Sequence, residues 1–312
     1  MGSQSGGEHI EVVEVSPRDG LQNEDRVLTP QVRAAFIHKL MDAGAKRIEA
    51  VSFVHPKLVP QMADAEEVMS LVERRDGVSL IGLVLNERGF ERALDAGVDE
   101  ANFAFAATDV FNQKNGGLTT DESLAIWERI AGRGWDAGLK MSVTIGVSFG
   151  CHFAGEVSAD RVVELARRSA EVGADEIAIA DTIGVGVPSQ VHALASAIRE
   201  ILPDMPLRAH FHNTRNTGFA NAAAAVDAGI TTLDASVGGI GGCPFAPGAA
   251  GNIATEDLVY LVERMGYTTG LSLPNLIETA GWIEEQLGHP VTALLGKAGD
   301  FPGERATVDV PT

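Results

Sequence analysis

Apolar positions along the chain follow two rhythms in turn. Short β-branched runs alternate with longer stretches of helical period, the sign of repeated βα units around a parallel sheet. Strands are predicted at 9–15 (HIEVVEV), 47–51, 79–84, 100–105, 140–146, 176–180, 207–212 and 231–236. Between them lie amphipathic segments such as TPQVRAAFIHKLMDAG, where Thr29 caps, Pro30 suits the first turn and Gly44 ends the helix. An Ala-Gly or Val-Gly step precedes several later strands, as in LDAGVDE, WDAGLK, EVGADE and VDAGIT. Eight parallel strands with helical crossovers close more naturally as a barrel than as a doubly wound open sheet, because closure removes both edges. The fold class is therefore α/β, a (β/α)8 TIM barrel. Helical stretches at 253–266 and 273–288 add a C-terminal helical segment. The expected layout is an N-terminal arm at 1–8, one barrel domain at 9–300 and a tail at 301–312.

Composition narrows the function classes. The chain has 312 residues, 45% hydrophobic, with no uninterrupted apolar run long enough for a membrane span. The opening MGSQSGGEHI lacks the basic and apolar regions of a secretory signal, so a cytoplasmic location is expected. The formal net charge of −19 repels nucleic acid and anionic lipid, and it requires any anionic ligand to find a local basic mouth, for which Lys57 and Lys114 are candidates. The cysteines Cys151 and Cys243 stand far apart in no CxxC pattern, against a disulfide framework or structural zinc.

In such barrels the chemistry collects on the loops after the strands. The polar residues there are Arg18 and Asp19 after the first strand, Glu49 on the second, Asp181 after the sixth, His210 and His212 on the seventh, and Cys243 and Asn252 after the eighth. Two histidines two apart on a strand face the same way and can share one ion. With Asp19 and Asn252 they offer two nitrogens and two oxygens, suited to octahedral magnesium or manganese, though the set also resembles the two-His-one-carboxylate iron site. Blander readings remain open. SPRDG is a turn with a surface ion pair, Asn252 caps a helix starting at Ile253, and Cys243 is a small buried hydrophobe. Against the last stands its setting among six glycines between 238 and 251, which suits a mobile lid.

The segments VSPRDGLQNE (15–24), IEAVSFVHPKLVPQMAD (48–64), FGC (149–151), ADTIGVGVP (180–188), HFHN (210–213) and GGIGGCPFAPGAAGNIATEDLVY (238–260) resemble the 3-hydroxy-3-methylglutaryl-CoA lyases. These belong to a wider metallolyase group with isopropylmalate and homocitrate synthases. The resemblance implies a carbon–carbon lyase that cleaves 3-hydroxy-3-methylglutaryl-CoA to acetyl-CoA and acetoacetate. Alternatives are a related branched 3-hydroxyacyl-CoA, of isohexenylglutaryl-CoA or citramalyl-CoA type, or a condensing synthase. It implies Asp19, His210, His212 and Asn252 as ligands of a magnesium or manganese ion, and Arg18 as stabiliser of the enolate. Cys243 would be an acid/base group with His210 as relay, Glu49 and Asp181 orienting groups, Ser52 and Thr182 substrate donors, and the assembly a homodimer. The chain departs from the pattern after the second histidine, reading Asn213-Thr214-Arg215-Asn216 where the lyases read D-T-Y-G, and has His152 where proline is usual. Arg215 is therefore a candidate reader of a different carboxylate.

Overall fold

The computed structural model describes residues 7–242 and 250–301. Eight parallel strands close in sequence order into a barrel: β1 (Glu11–Glu14), β2 (Arg47–Ser52), β3 (Ser79–Val84), β4 (Glu100–Ala106), β5 (Lys140–Gly146), β6 (Glu176–Asp181), β7 (Leu207–Phe211) and β8 (Thr232–Ala235), with β1 pairing to β8. Each lies where the apolar rhythm places it. The helix α1 (Pro30–Asp42) has the expected cap, with Thr29 Oγ1 accepting from Val32 N at 3.4 Å.

Two features differ from expectation. The crossover from β4 to β5 carries two helices, α2 (Asp109–Gly116) and α3 (Thr120–Asp136), and the first brings Phe111 and Asn115 to the barrel mouth. After β8 the helices run over Thr255–Arg264 and Leu273–Leu287, followed by a short turn at Leu295–Ala298. Because the first of these is capped by Ala254, Asn252 is not its cap. Of the expected arm and tail, only Gly7, Glu8 and Phe301 are described. Glu8 is tied down, since its carbonyl accepts from Thr268 N at 3.0 Å.

Apolar side chains fill the shell between strands and helices, while the barrel interior is largely polar. The inward column of β5 runs Lys140, Ser142, Thr144, Gly146; β2, β4, β6 and β7 contribute Arg47, Glu100, Glu176 and Arg208, the last three fully buried or nearly so. Charges buried in this way must pair. Arg47 donates to Glu11, Glu100 and Glu176 at 2.7 to 2.9 Å, and Arg208 Nε stands 3.0 Å from Glu176 Oε1. This layer plugs the amino-terminal end of the barrel and leaves the carboxyl end open. Among the described residues, no helix is long and apolar enough to cross a membrane.

Candidate active site and metal centre

The chain leaves β1 through one wide turn, Ser16–Gly20, in which Gly20 N reaches back to Val15 O at 3.2 Å. Such five-residue turns widen a helix locally and are frequent at functional sites. Here the turn swings Arg18 and Asp19 inward. Asp19 is 9% exposed, which overturns the reading of SPRDG as a surface pair. Arg18 is held on two sides, Nε donating to Glu49 Oε2 and Nη1 to Asp19 Oδ1, both at 2.6 Å. Glu49 accepts a further bond from Asn102 Nδ2 at 3.0 Å, so its carboxylate serves to aim the guanidinium.

His210 and His212 turn their rings to the same side, centroids 5.0 Å apart. Their Nε2 atoms lie 3.9 and 3.8 Å from Asp19 Oδ2. That is too long for a hydrogen bond. It falls between the spacings of about 3.0 and 4.2 Å that neighbouring and opposite donors take on an octahedron with bonds of about 2.1 Å. One donor atom from each of Asp19, His210 and His212 lies within 4.8 Å of the others. His210 Nδ1 pairs with Asp234 Oδ2 at 3.1 Å, which assigns the proton to that nitrogen and leaves Nε2 as a lone-pair donor. Asp234 in turn accepts from Arg208 at 3.2 Å.

The electrostatics favour a cation at the same place. Burial would raise the Asp19 carboxyl, but Arg18 and then the histidines hold it well below its ordinary range. Burial would lower His210, and the Asp234 bond together with Asp19 raises it instead. Asp19, Glu49 and Asp234 bring three carboxylates against one unshared guanidinium, Arg208 being divided between Asp234 and Glu176. The donor set and the charge deficit both fit a divalent ion.

Asn252 stands beside this cluster, 2% exposed, with Nδ2 donating to Asp19 Oδ2 at 2.8 Å and to Ile240 O at 3.1 Å. A half-turn of the amide presents Oδ1 in its place. The approach is close because Gly241, at φ +107°, packs its backbone against it; a Cβ there would come within 2.5 Å of Asn252 Nδ2.

Other expected residues fall differently. Ser52 and Thr182 line a cavity of about 400 Å³ together with Arg18, Asp19 and both histidines, although Thr182 Oγ1 already accepts from Val147 N at 2.9 Å. Asp181 is fully buried, raised by that burial, and accepts from Val185 N and Gly186 N at 2.9 Å each, so it braces the loop after β6. Arg215 does not reach the cavity. It is exposed and donates to the carbonyls of Ile183 and Gly184 at 2.8 and 3.1 Å, clipping the loop that follows Thr182. Lys57 and Lys114 are exposed on the segments that rim the mouth. Cys243 lies outside the described residues.

Sequence reasoning missed Asp234, Asn102, Thr144 and Gln22. Thr144 Oγ1 donates to Asn102 Oδ1 at 2.9 Å and Gln22 Nε2 to Asp19 Oδ1 at 3.0 Å. For Asp234 and Asn102 the available signal was a polar residue in the interior of a mostly apolar strand, which must find a partner when buried.

Comparison with known proteins agrees with this architecture. The HMGL-like family model matches residues 9–283. The chain is 47% identical over 302 residues to the (R)-citramalyl-CoA lyase of Chloroflexus aurantiacus, covering 94% of this chain and 95% of that protein. It is 39% identical to a hydroxymethylglutaryl-CoA lyase of Bacillus subtilis, over 90% of this chain and 94% of the relative. An HMG-CoA lyase of Acinetobacter baumannii, solved with coenzyme A and 3-methylmalate, superposes with a TM-score of 0.90 at 37% identity, covering 96% of this chain and 98% of that one. With its closed parallel barrel and clustered Asp19, His210 and His212 at the mouth, the chain belongs to the HMGL-like family and is a carbon–carbon lyase.

Proposed function

We propose that the chain cleaves a carboxylated, branched 3-hydroxyacyl-CoA by a retro-aldol reaction, and that a citramalyl-CoA type of substrate, yielding acetyl-CoA and pyruvate, is favoured. The observation carrying this is that Arg18 is the one guanidinium or ammonium among the described residues lining the cavity. Arg18 is required at the thioester oxygen, where negative charge develops as the enolate forms. The acid's own carboxylate then has no second side-chain cation to reach, and must share the Asp19, His210 and His212 corner with the hydroxyl. A carboxylate on the carbinol carbon itself does this with the shortest span. The 47% identity to a protein named for that substrate points the same way. A second reading, 3-hydroxy-3-methylglutaryl-CoA giving acetoacetate, is favoured by relatives of that name at 37 to 40% identity.

Asp19, His210, His212 and, after its amide turns, Asn252 would hold magnesium or manganese. Such an ion supplies Lewis acidity, lowering the cost of removing the hydroxyl proton. Glu49 keeps Arg18 aimed, so its charge meets the developing enolate without reorganisation. Asp234 keeps the proton of His210 on Nδ1. Cys243 retains the proposed acid/base role, taking up the hydroxyl proton and delivering it to the acetyl-CoA enolate, while His210, with Nδ1–H on Asp234 and Nε2 toward the ion, stays an orienting ligand. The homodimer implied by the resemblance accompanies this proposal.

The test incubates metal-stripped protein, resupplied with magnesium or manganese, with citramalyl-CoA, 3-hydroxy-3-methylglutaryl-CoA and isohexenylglutaryl-CoA. Acetyl-CoA and the oxo acid are both identified. Fastest release of pyruvate is the expected result; faster acetoacetate establishes the second reading, and no acetyl-CoA from any ester sinks the proposal.

A further inference from the structure

The inward column of β5 ends in Gly146, at the level of the cavity. Nothing in the fold asks for glycine there. Its φ is not in the left-handed region, and it pairs in ordinary parallel register with Ala106. Packing does not ask for it either: a Cβ would meet Thr182 Oγ1 at 3.4 Å, Phe105 O at 3.6 Å and Ala106 Cα at 3.8 Å, all ordinary contacts. Gly146 closes β5, and the turn that follows puts its positive φ on Val147, at 52°, not on the glycine; a strand glycine that no left-handed backbone requires marks a place kept clear for something else.

The surroundings show what is kept clear. On the strands adjoining Gly146 the cavity lining includes Ala104, Ala106 and Ala180, with Phe105 and, from α2, Phe111 and Asn115 on the β4 side, while the β2 and β3 side carries Leu58 and Leu83. The small wall faces across the barrel from β1, which brings in Arg18 and Asp19. Below it Thr144 and Asn102 are occupied with each other and with Arg208 and Glu49. The recess is therefore lined by Cβ atoms, backbone and the Thr182 hydroxyl, which suits a small uncharged branch and offers a second carboxylate no cation.

We infer that Gly146 is a specificity-determining residue, whose missing side chain makes room for the alkyl branch on the carbinol carbon of the substrate. This rests on the proposed acyl-CoA reading and adds to it which wall measures the branch. An added methyl at 146 fills the recess and penalises a branched acyl group, while an analogue with hydrogen in place of the methyl still fits.

The experiment compares wild type with Gly146→Ala and Gly146→Ser, using citramalyl-CoA and its unbranched counterpart malyl-CoA. Binding of the corresponding deoxy esters, methylsuccinyl-CoA and succinyl-CoA, is measured by calorimetry. For Gly146→Ala the melting temperature is expected to hold or rise, and kcat/KM on the branched ester to fall about tenfold or more relative to the unbranched one, the scale of a one-carbon discrimination. The deoxy esters are expected to show the same selective loss in affinity. Equal change on both esters of a pair, or none, overturns the inference. Since the deoxy esters report binding without turnover, a wild-type enzyme that binds them but cleaves nothing would refute the lyase proposal while still measuring the recess. If neither ester binds, both fall.

Discussion

Near the amino ends of the strands, Arg47 closes on Glu11, Glu100 and Glu176 at 2.7 to 2.9 Å, and Arg208 bridges Glu176 and Asp234. At the carboxyl ends, two histidines stop 3.8 and 3.9 Å short of Asp19, and carboxylates outnumber guanidinium groups. Both regions are buried and built from the same kinds of side chain. In the floor every charge has met its opposite, and the layer acts as a plug. In the mouth the matching is left incomplete, so a cation and an anionic substrate have something to complete. Burial and charge alone therefore do not mark a site; unfilled spacing between converging donors does.

The largest expected effect breaks the floor. Glu176→Gln leaves Arg47 and Arg208 under-compensated in a dry interior, and removing one partner of a buried pair costs about 3–5 kcal/mol of stability. Denaturant unfolding should show that loss, and a shift under about 1 kcal/mol would mean the layer is not closed as described. The matching change in the mouth should act on turnover instead. Arg18→Met is expected to lower kcat by about 10²- to 10³-fold, as for loss of one oxyanion donor, with a smaller loss of stability than in Glu176→Gln because Asn102 still donates to Glu49. If it unfolds the protein as readily as Glu176→Gln does, the contrast between the two ends fails.

Much of this was readable in advance, and the exceptions have physical causes. Strands were legible because apolar runs recur in every βα unit and a glycine ends most of the preceding helices, the one before β7 excepted. The inserted α2 was not, since DVFNQKNG is short and has no apolar stripe. The floor was not legible, because alternation alone does not say whether a polar residue in a strand faces solvent or, as Arg47 and Glu100 do, faces inward to a partner. Asp19, His210, His212 and Asn252 were legible as polar groups at strand ends. Arg215 was misplaced because nearness in sequence to His212 is not nearness in space; the chain reverses at Asn216, φ 59°, and carries Arg215 to the loop after β6.

Acidity separates the ends further. Burial alone would raise Glu176, but Arg208 and Arg47 outweigh it and bring it to about 2. An unfolded glutamate titrates near about 4.3, so the stability this group contributes is full above that pH and is lost only as pH falls through about 2. Glu256, which accepts from Gly238 N at 3.0 Å under the mouth loop, is pushed up by burial to about 8. Its folded form holds a proton that the unfolded chain has released, so stability falls as pH rises from about 4.3 toward 8, by up to a few kcal/mol. Stability measured from pH 5 to 8 should slope downward in the wild type and become shallower in Glu256→Gln, where the buried Glu14 and Asp181, also raised, keep the remaining slope. An unchanged slope would remove Glu256 as its cause.

Within the mouth, a smaller change tests how the histidine is aimed. Asp234→Asn keeps the shape but weakens the bond that holds the proton on His210 Nδ1, and loss of such a partner typically costs 10- to 100-fold in metal affinity. Manganese binding to stripped protein measures it directly. Affinity equal to wild type would mean that His210 is oriented by packing alone.

The smallest effect is expected at Arg215. Its guanidinium stands outside the cavity and spends its donors on Ile183 O and Gly184 O. Arg215→Met removes two part-buried hydrogen bonds, together about 1–3 kcal/mol of local restraint, and loosens the loop carrying Thr182. The rate should fall by a similar factor on every thioester, because a loosened loop positions all of them less well. A change in the ratio between citramalyl-CoA and 3-hydroxy-3-methylglutaryl-CoA would instead show Arg215 reading the substrate, moving the boundary of the mouth outward to include the segment after His212.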